Sequence, residues 1–459
     1  MNNYLKLAQV LFFSTVIAAC GGGGDSSSSD SESGGSSGNS SGGSSSGGSG
    51  GGSGGSSSRL VWDAALPTAS FAYYSSPALS ADEQTIYVGT AKNVRNASAG
   101  NDVMAAYDRN GNVKWQYTLP NAEEVRSSPV VHNGNIYFTV DKRTSEFNKS
   151  YRDLVALSST GNEIWRKRVS EYGSQTGSGL TKVVATGDQI IYTGLDVLVF
   201  NADSGDKLFE RLCNCSGRQD RFVNGALNNN GELVYYDEGR LLKLNLTTYE
   251  VSGEFDDIAT FQGDLVLSSP AVDSNNNVYL GSEAGILYAF NDNLELLWDF
   301  KLTSPNVIEA PHIRSSVAID ESRETLYFGT KSNENSEFYA LDINDQSVKW
   351  KVSIPGDVYV SPTIGDNGNI YFASETDLLY AYTPTGTLAW QYDLKVNVTW
   401  SSPVIDSSGI LYIGGLSEAD LSSSGATGKV FAIQTDSTGL MTNTWAKIHR
   451  DNQNTGVAK

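Results

Sequence analysis

One short step recurs eight times along this chain, and each recurrence introduces the same kind of strand. It reads SSPAL at Pro77, SSPVV at Pro129, GSGLT at Gly179, VNGAL at Gly225, SSPAV at Pro270, SSVAI at Val317, VSPTI at Pro362 and SSPVI at Pro403. The spacings are 52, 50, 46, 45, 47, 45 and 41 residues. A period of 40–52 residues marks a repeat architecture, in which one supersecondary unit is stacked many times. Each unit continues with an Asn/Asp/Gly turn, then an alternating strand carrying Tyr in register (TIYVGT, NIYFTV, NVYLGS, TLYFGT, NIYFAS, ILYIGG). A second apolar strand follows, then another tight turn, then a strand with Trp or Phe such as NVKWQYTL or LAWQYDL. Four short strands per unit and no helical periodicity predict an all-β, eight-bladed β-propeller of four-stranded blades.

The residue choices fit that architecture. Ala at 106, 156, 289, 340, 381 and 432 permits close approach, and Trp115, Trp165, Trp298, Trp350 and Trp390 fill the widening wedge between blades. Units three and four depart, with Val199 and Lys243 at the Ala position. The run AAYDRNGNVKW, partly repeated as ALDINDQSVKW, resembles the quinoprotein-type (PQQ-like) propeller repeat, and the similarity spans residues 60–435.

LVWDAALP at 60–67 matches VKWQYTLP at 113–120, with Trp third, Leu seventh and Pro eighth. Residues 60–66 therefore read as a fourth strand without a blade of its own, and the eighth unit has no regular Trp strand after KVFAIQT. The expectation is closure of the ring by the N-terminal strand beside residues 430–433, which removes an exposed sheet edge. The alternative gives that place to Trp445. The tail WAKIHRDNQNTG resembles a terminal segment of this repeat class, with Trp445 and Ile448 expected to cover the bottom or side of the closing blade. His449, Arg450 and Asp451 read as structural contacts.

Residues 1–19 read as a signal peptide, with an early Lys6 and an apolar run too short to span a bilayer. VIAAC resembles the bacterial lipobox, which implies acylation of Cys20. Gly21 after it implies the outer membrane, on the periplasmic side or at the cell surface. Residues 20–58 form a lipidated Cys and a Gly/Ser tether, with about 30–35 Å of root-mean-square reach. Residues 59–459 remain as one propeller domain. The formal charge is −20, becoming −21 once Lys6 leaves with the signal and −18 for the folded part without its three tether acids. That sign disfavours nucleic acid and anionic lipid surfaces as partners.

Insertions at 91–101, 141–152, 331–337 and 416–428 fall on one face, where loops of variable length carry recognition. The residue three before each anchor faces the channel mouth: Tyr74, Arg126, Thr176, Phe222, Leu267, Arg314, Tyr359 and Trp400. Aromatics and Arg around one opening have the composition of a binding hot spot, so Tyr74, Arg126, Phe222, Arg314, Tyr359 and Trp400 are the candidate partner-binding residues. The alternative is packing beneath the covering loops. His132, His312 and His449 share no metal-ligand spacing. Cys213 and Cys215 form a possible disulfide across Asn214. The turn at 273–281 carries Val and Tyr where a Ca²⁺ loop needs oxygen ligands, so it reads as a hairpin.

The acidic lipoprotein propeller resembles the propeller lipoproteins of the outer-membrane β-barrel assembly machinery. That resemblance implies a non-enzymatic scaffold that binds a protein partner through its loops, with no cofactor. Two alternatives stand. One is a dehydrogenase using pyrroloquinoline quinone and Ca²⁺, although the adjacent cysteines of such enzymes are separated here by Asn214 and no catalytic segment carries over. The other is carbohydrate recognition by Tyr74, Phe222, Tyr359 and Trp400.

Overall fold

The computed structural model describes residues 59–66, 72, 75–91, 101–120, 123–125, 127–142, 150–172, 182–194, 196–212, 225–237, 239–258, 268–302, 311–332, 336–396, 398, 400–416 and 428–458. They build eight antiparallel sheets, each with four strands in radial order. The second sheet gains a fifth strand, Glu123–Val125, on its long Asn135–Lys142 neighbour. A single 3₁₀ turn, Glu321–Arg323, is the only helical element among the described residues. The chain is an eight-bladed β-propeller. The eighth sheet holds Val404–Ile405, Ile410–Leu416, Gly428–Gln434 and, outermost, Leu60–Ala65. Leu60 pairs with Ile433 and Trp62 with Ala432.

The Ala and Trp positions prove to be a cross-strand pair. Ala106 faces Trp115, Ala156 faces Trp165, Ala289 faces Trp298, Ala340 faces Trp350, Ala381 faces Trp390 and Ala432 faces Trp62. Ala leaves room for the indole, which then reaches the following blade. Trp115 Nε1 donates to Ser159 O at 2.9 Å, Trp165 to Ala202 O at 2.9 Å, Trp350 to Pro384 O at 2.8 Å and Trp62 to Arg109 O at 2.8 Å. Each acceptor sits in the outer hairpin turn of the next blade. The ring packs on that turn's glycine: a Cβ on Gly111 would lie 2.8 Å from Trp62, and one on Gly161 2.6 Å from Trp115. Both glycines also have φ of +83°, which L side chains rarely adopt.

Blade four solves the same contact differently. Lys243 faces Gly253, and Lys243 Nζ donates to Asp292 O at 2.5 Å, the carbonyl equivalent to those the indoles reach. Glu232 Oε2 lies 3.1 Å from the same ammonium. In blade three Phe209 stacks on Tyr249, centroids 4.5 Å apart, where the next turn has Tyr in place of Gly.

A belt of serines runs around the axis at the start of the innermost strands. The backbone N–H of Ser76 donates to Ser128 Oγ at 3.0 Å, Ser269 to Ser316 at 2.8 Å, Ser316 to Ser361 at 2.8 Å, Ser361 to Ser402 at 3.0 Å and Ser402 to Ser76 at 2.9 Å. Blades eight and one are therefore joined by the same bond as blades one and two and blades five to eight.

The C-terminal tail departs from expectation. Trp445 does not cover the closing blade; the tail crosses the axis on the side of the tight inner turns. Ile364 N donates to Ala446 O, Ile319 N to Trp445 O, Leu79 N to Asn452 O, Val131 N to Gln453 O, Ala185 N to Thr455 O and Leu227 N to Gly456 O. Asn452 Nδ2 adds Ile405 O at 2.7 Å. The innermost strands present free backbone edges to the axis, and the tail satisfies them on seven blades. Trp445 is buried in the core shared by blades five and six, with Val272 and Ile319.

The same bonds correct the register of the third unit. Ala185 occupies the place of Leu79 and Val131, so the step is TKVVA with its anchor at Val183, not Gly179. Lys182 thereby stands where six of the other units carry the second belt serine and unit four carries Asn224. A charged residue in place of that serine hid the true step from pattern matching.

Candidate functional site

The segments leading into the innermost strands cross the preceding blade on the loop-rich face. Ile313 N donates to Ser282 O, and Val358 N to Thr330 O. A glycine at the end of the second strand permits this: a Cβ on Gly281 would meet Ile313 at 2.4 Å, and one on Gly329 would meet Val358 at 2.3 Å. The crossings fix the residues that follow, Arg314 and Tyr359.

Arg314, Tyr359 and Trp400 come together as a row across blades six, seven and eight. The Tyr359 and Trp400 rings stack with centroids 4.6 Å apart and planes at 28°. The Arg314 guanidinium lies 5.5 Å from the Tyr359 centroid, within cation–π range. All three are half-buried. They belong to the connections before the innermost strands, which begin at Ala318, Thr363 and Val404. Tyr74, Arg126, Thr176, Phe222 and Leu267 lie outside the described residues, as do Cys20, Cys213 and Cys215.

Carboxylates that pattern reading missed hold this row. Glu283 is buried and accepts two bonds from Arg314, Nε at 2.6 Å and Nη2 at 2.9 Å. Burial works to lower the Arg314 pKa, but the hydrogen bond and charge of Glu283 outweigh it and raise the pKa. Tyr359 Oη donates to Asp357 Oδ2 at 2.9 Å. Burial first, and then the Asp357 charge, push the Tyr359 hydroxyl up, so it stays protonated. Asp357 is itself held by Ser336 Oγ at 2.9 Å, and Asp357 O accepts from Glu375 N at 3.1 Å. Burial and the neighbouring Asp357 charge raise the Glu375 pKa. The signal for these acids was present: GSEAG at 281–285 and ASETD at 373–377 place Ser-Glu at the same strand end.

His312 belongs to the same cluster. Its Nδ1 contacts Glu283 O and lies 3.4 Å from Glu283 Oε2. His132 Nε2 contacts Gly187 O at 2.7 Å, and His449 is buried in the tail. Among the described residues no three His, Cys, Asp or Glu side chains gather to hold a metal ion. The turn at Asp273 is a hairpin whose carboxylate caps Asn275 N and Asn277 N at 2.9 and 2.8 Å.

This geometry sits on a scaffold with known relatives. Residues 150–392 and 285–437 match the family model described as outer membrane protein assembly factor BamB, which covers more than half of the chain. The chain belongs to that family. Among solved structures it resembles BamB from Moraxella catarrhalis, with TM-score 0.55 and 13% identity, covering 82% of this chain and 97% of that one. A europium-containing methanol dehydrogenase gives TM-score 0.59 at 11% identity, covering 82% of this chain and 93% of that one. Quinohemoprotein alcohol dehydrogenase ADHIIG from Pseudomonas putida HK5 gives 0.56 at 11%, covering 83% and 77%. At these identities the likeness is one of fold. No curated protein matches the chain. The dehydrogenases in this group bring quinone and metal chemistry into question, and the described residues form no cluster that fits such a metal.

Proposed function

We propose that the chain is a non-enzymatic binding scaffold, tethered to the outer membrane through a lipid on Cys20, that takes a protein partner on its loop-rich face. The observation that carries this reading is the row Glu283–Arg314–Tyr359–Trp400. Two stacked aromatics and a charge-anchored Arg, half-exposed and held on adjacent blades, form a preorganised hot spot. Little side-chain entropy remains to be lost on docking, because packing and hydrogen bonds already fix the three rotamers. The Gly/Ser tether gives the domain reach away from the lipid surface.

Site-specific photo-crosslinking tests this reading. A photoreactive residue at Trp400 or Tyr359, in the cell envelope of the native host, is expected to capture a discrete protein. The same probe at Leu388, exposed on the outer edge of blade seven, is expected to capture none. Arg314→Ala should cut the yield several-fold while leaving the fold intact. A row that captures no protein, or dye-linked alcohol oxidation appearing after pyrroloquinoline quinone and Ca²⁺ are added, overturns the proposal.

A further inference from the structure

We infer that the structure has a small-anion site on the ring axis, in which the Lys182 ammonium binds a monovalent ion such as a halide between the serine belt and the C-terminal tail.

Lys182 takes the place of a belt serine in blade three. Its neighbour one blade back, Ser128, accepts the Ser76 N–H at 3.0 Å and retains a hydroxyl proton to donate. Lys182 is only 5% exposed, and its Nζ has no hydrogen-bond acceptor. The tail brings further basic groups near Lys182: Lys447 is fully buried and His449 is 5% exposed, and each interacts electrostatically with Lys182. Lys447 does not share Lys182's predicament. Its three protons go to Ile448 O at 2.8 Å, Asp451 O at 3.0 Å and Asn454 Oδ1 at 2.6 Å, and Asp451 offsets its charge.

A buried ammonium without a counter-charge is strongly disfavoured, because its lost hydration is not replaced. Loss of a proton removes the charge but leaves two N–H donors without acceptors, so deprotonation is only half a remedy. An anion supplies both the acceptor and the charge. One uncompensated ammonium calls for one negative charge. In a chain of net charge −20, a buried concentration of cations without a carboxylate on Lys182 is contrary to the general trend. Lys447, which acts electrostatically on Lys182, adds attraction around the same ion. Burial and the two neighbouring lysines keep His449 neutral, so it does not compete as a cation.

Bromide serves as the probe. In bromide-soaked crystals of the chain, an anomalous peak is expected in contact with Lys182 Nζ. In solution at pH 6 and fixed ionic strength, Tm of the chain should rise steadily with the logarithm of bromide exchanged for a bulky organic anion. Lys182→Ser, which restores the belt residue, should abolish that rise; Lys182→Met serves if the serine variant does not fold. Water alone at Lys182 Nζ overturns the inference. So does equal bromide dependence in chain and variant, which makes any peak an adventitious ion only.

Discussion

The indole N–H of Trp62 donates to the carbonyl of Arg109 at 2.8 Å, and its ring lies over Gly111. One residue belongs to the first strand among the described residues, the other to the first complete blade. Arg109 also reaches Asp406 in blade eight, Nη2 to Oδ2 at 2.5 Å, so the junction is bonded from both sides. Trp62→Ala should therefore cost roughly 2–4 kcal/mol, somewhat below a fully buried Trp because the ring is half-exposed. Gly111→Ala should be comparably harmful, since its Cβ would sit 2.8 Å from Trp62 at a φ of +83°. Urea unfolding checks both; unchanged midpoints would show that the junction contributes nothing.

Lys243 and Gly253 offer a test of the pairing rule. Lys243→Ala removes the donor to Asp292 O and strips Glu232 of its ammonium, and should cost about 2–4 kcal/mol. Gly253→Trp alone places an indole opposite Lys243 and should also destabilise. The double variant rebuilds the Ala–Trp pair of the other blades. It should be more stable than the sum of the single changes by about 1–2 kcal/mol, read from a double-mutant cycle.

Much of this was legible in the sequence because propeller repeats expose their logic locally. The Tyr strand, the Ala opposite Trp and the turn glycine recur at fixed offsets, so eight units and their strand order could be read without coordinates. The axis was not legible. Lys182 in a serine's place displaced the third step by four residues, and the tail has no repeat to be compared with. Its partners, Leu79, Val131, Ala185 and Leu227, offer only backbone groups, which leave no mark in sequence. Likewise, Arg314, Tyr359 and Trp400 were found by register and Asp357 stands two residues before Tyr359, whereas Glu283 lies on another loop and required the fold to bring it to Arg314.

The Asn454 side chain ties the tail to the innermost strands of two blades. Its amide donates to Pro77 O at 3.1 Å and Pro129 O at 3.0 Å, and its oxygen accepts from Lys447. It is fully buried, so Asn454→Ala leaves two carbonyls and one ammonium proton unmet. The expected loss is about 2–4 kcal/mol. Hydrogen exchange should show faster opening at Leu79 and Val131, whose amides bond the adjacent tail residues, while the outer strands keep their protection.

The buried cations set a pH dependence whose sign is fixed. Burial, reinforced for Lys182 by Lys447, lowers the Lys182 pKa from 10.5 to about 7; burial also lowers Lys447 to about 7, against the pull of Asp451. His449 falls well below 6.5 through burial and both lysines. In each case the unfolded chain binds the proton more tightly, so the unfolding free energy rises with pH. For the lysines the rise begins near pH 7 and continues towards 10.5. It is curtailed near pH 10, where unfolded tyrosines ionise while buried ones such as Tyr107, raised to about 12, do not. In buffers of bulky organic anions the urea midpoint should therefore climb between pH 7 and 9.5. Lys182→Met should flatten that climb by about half, since Lys447 supplies the remainder. A midpoint that falls over this range would show that both ammonium groups are fully compensated in the folded chain.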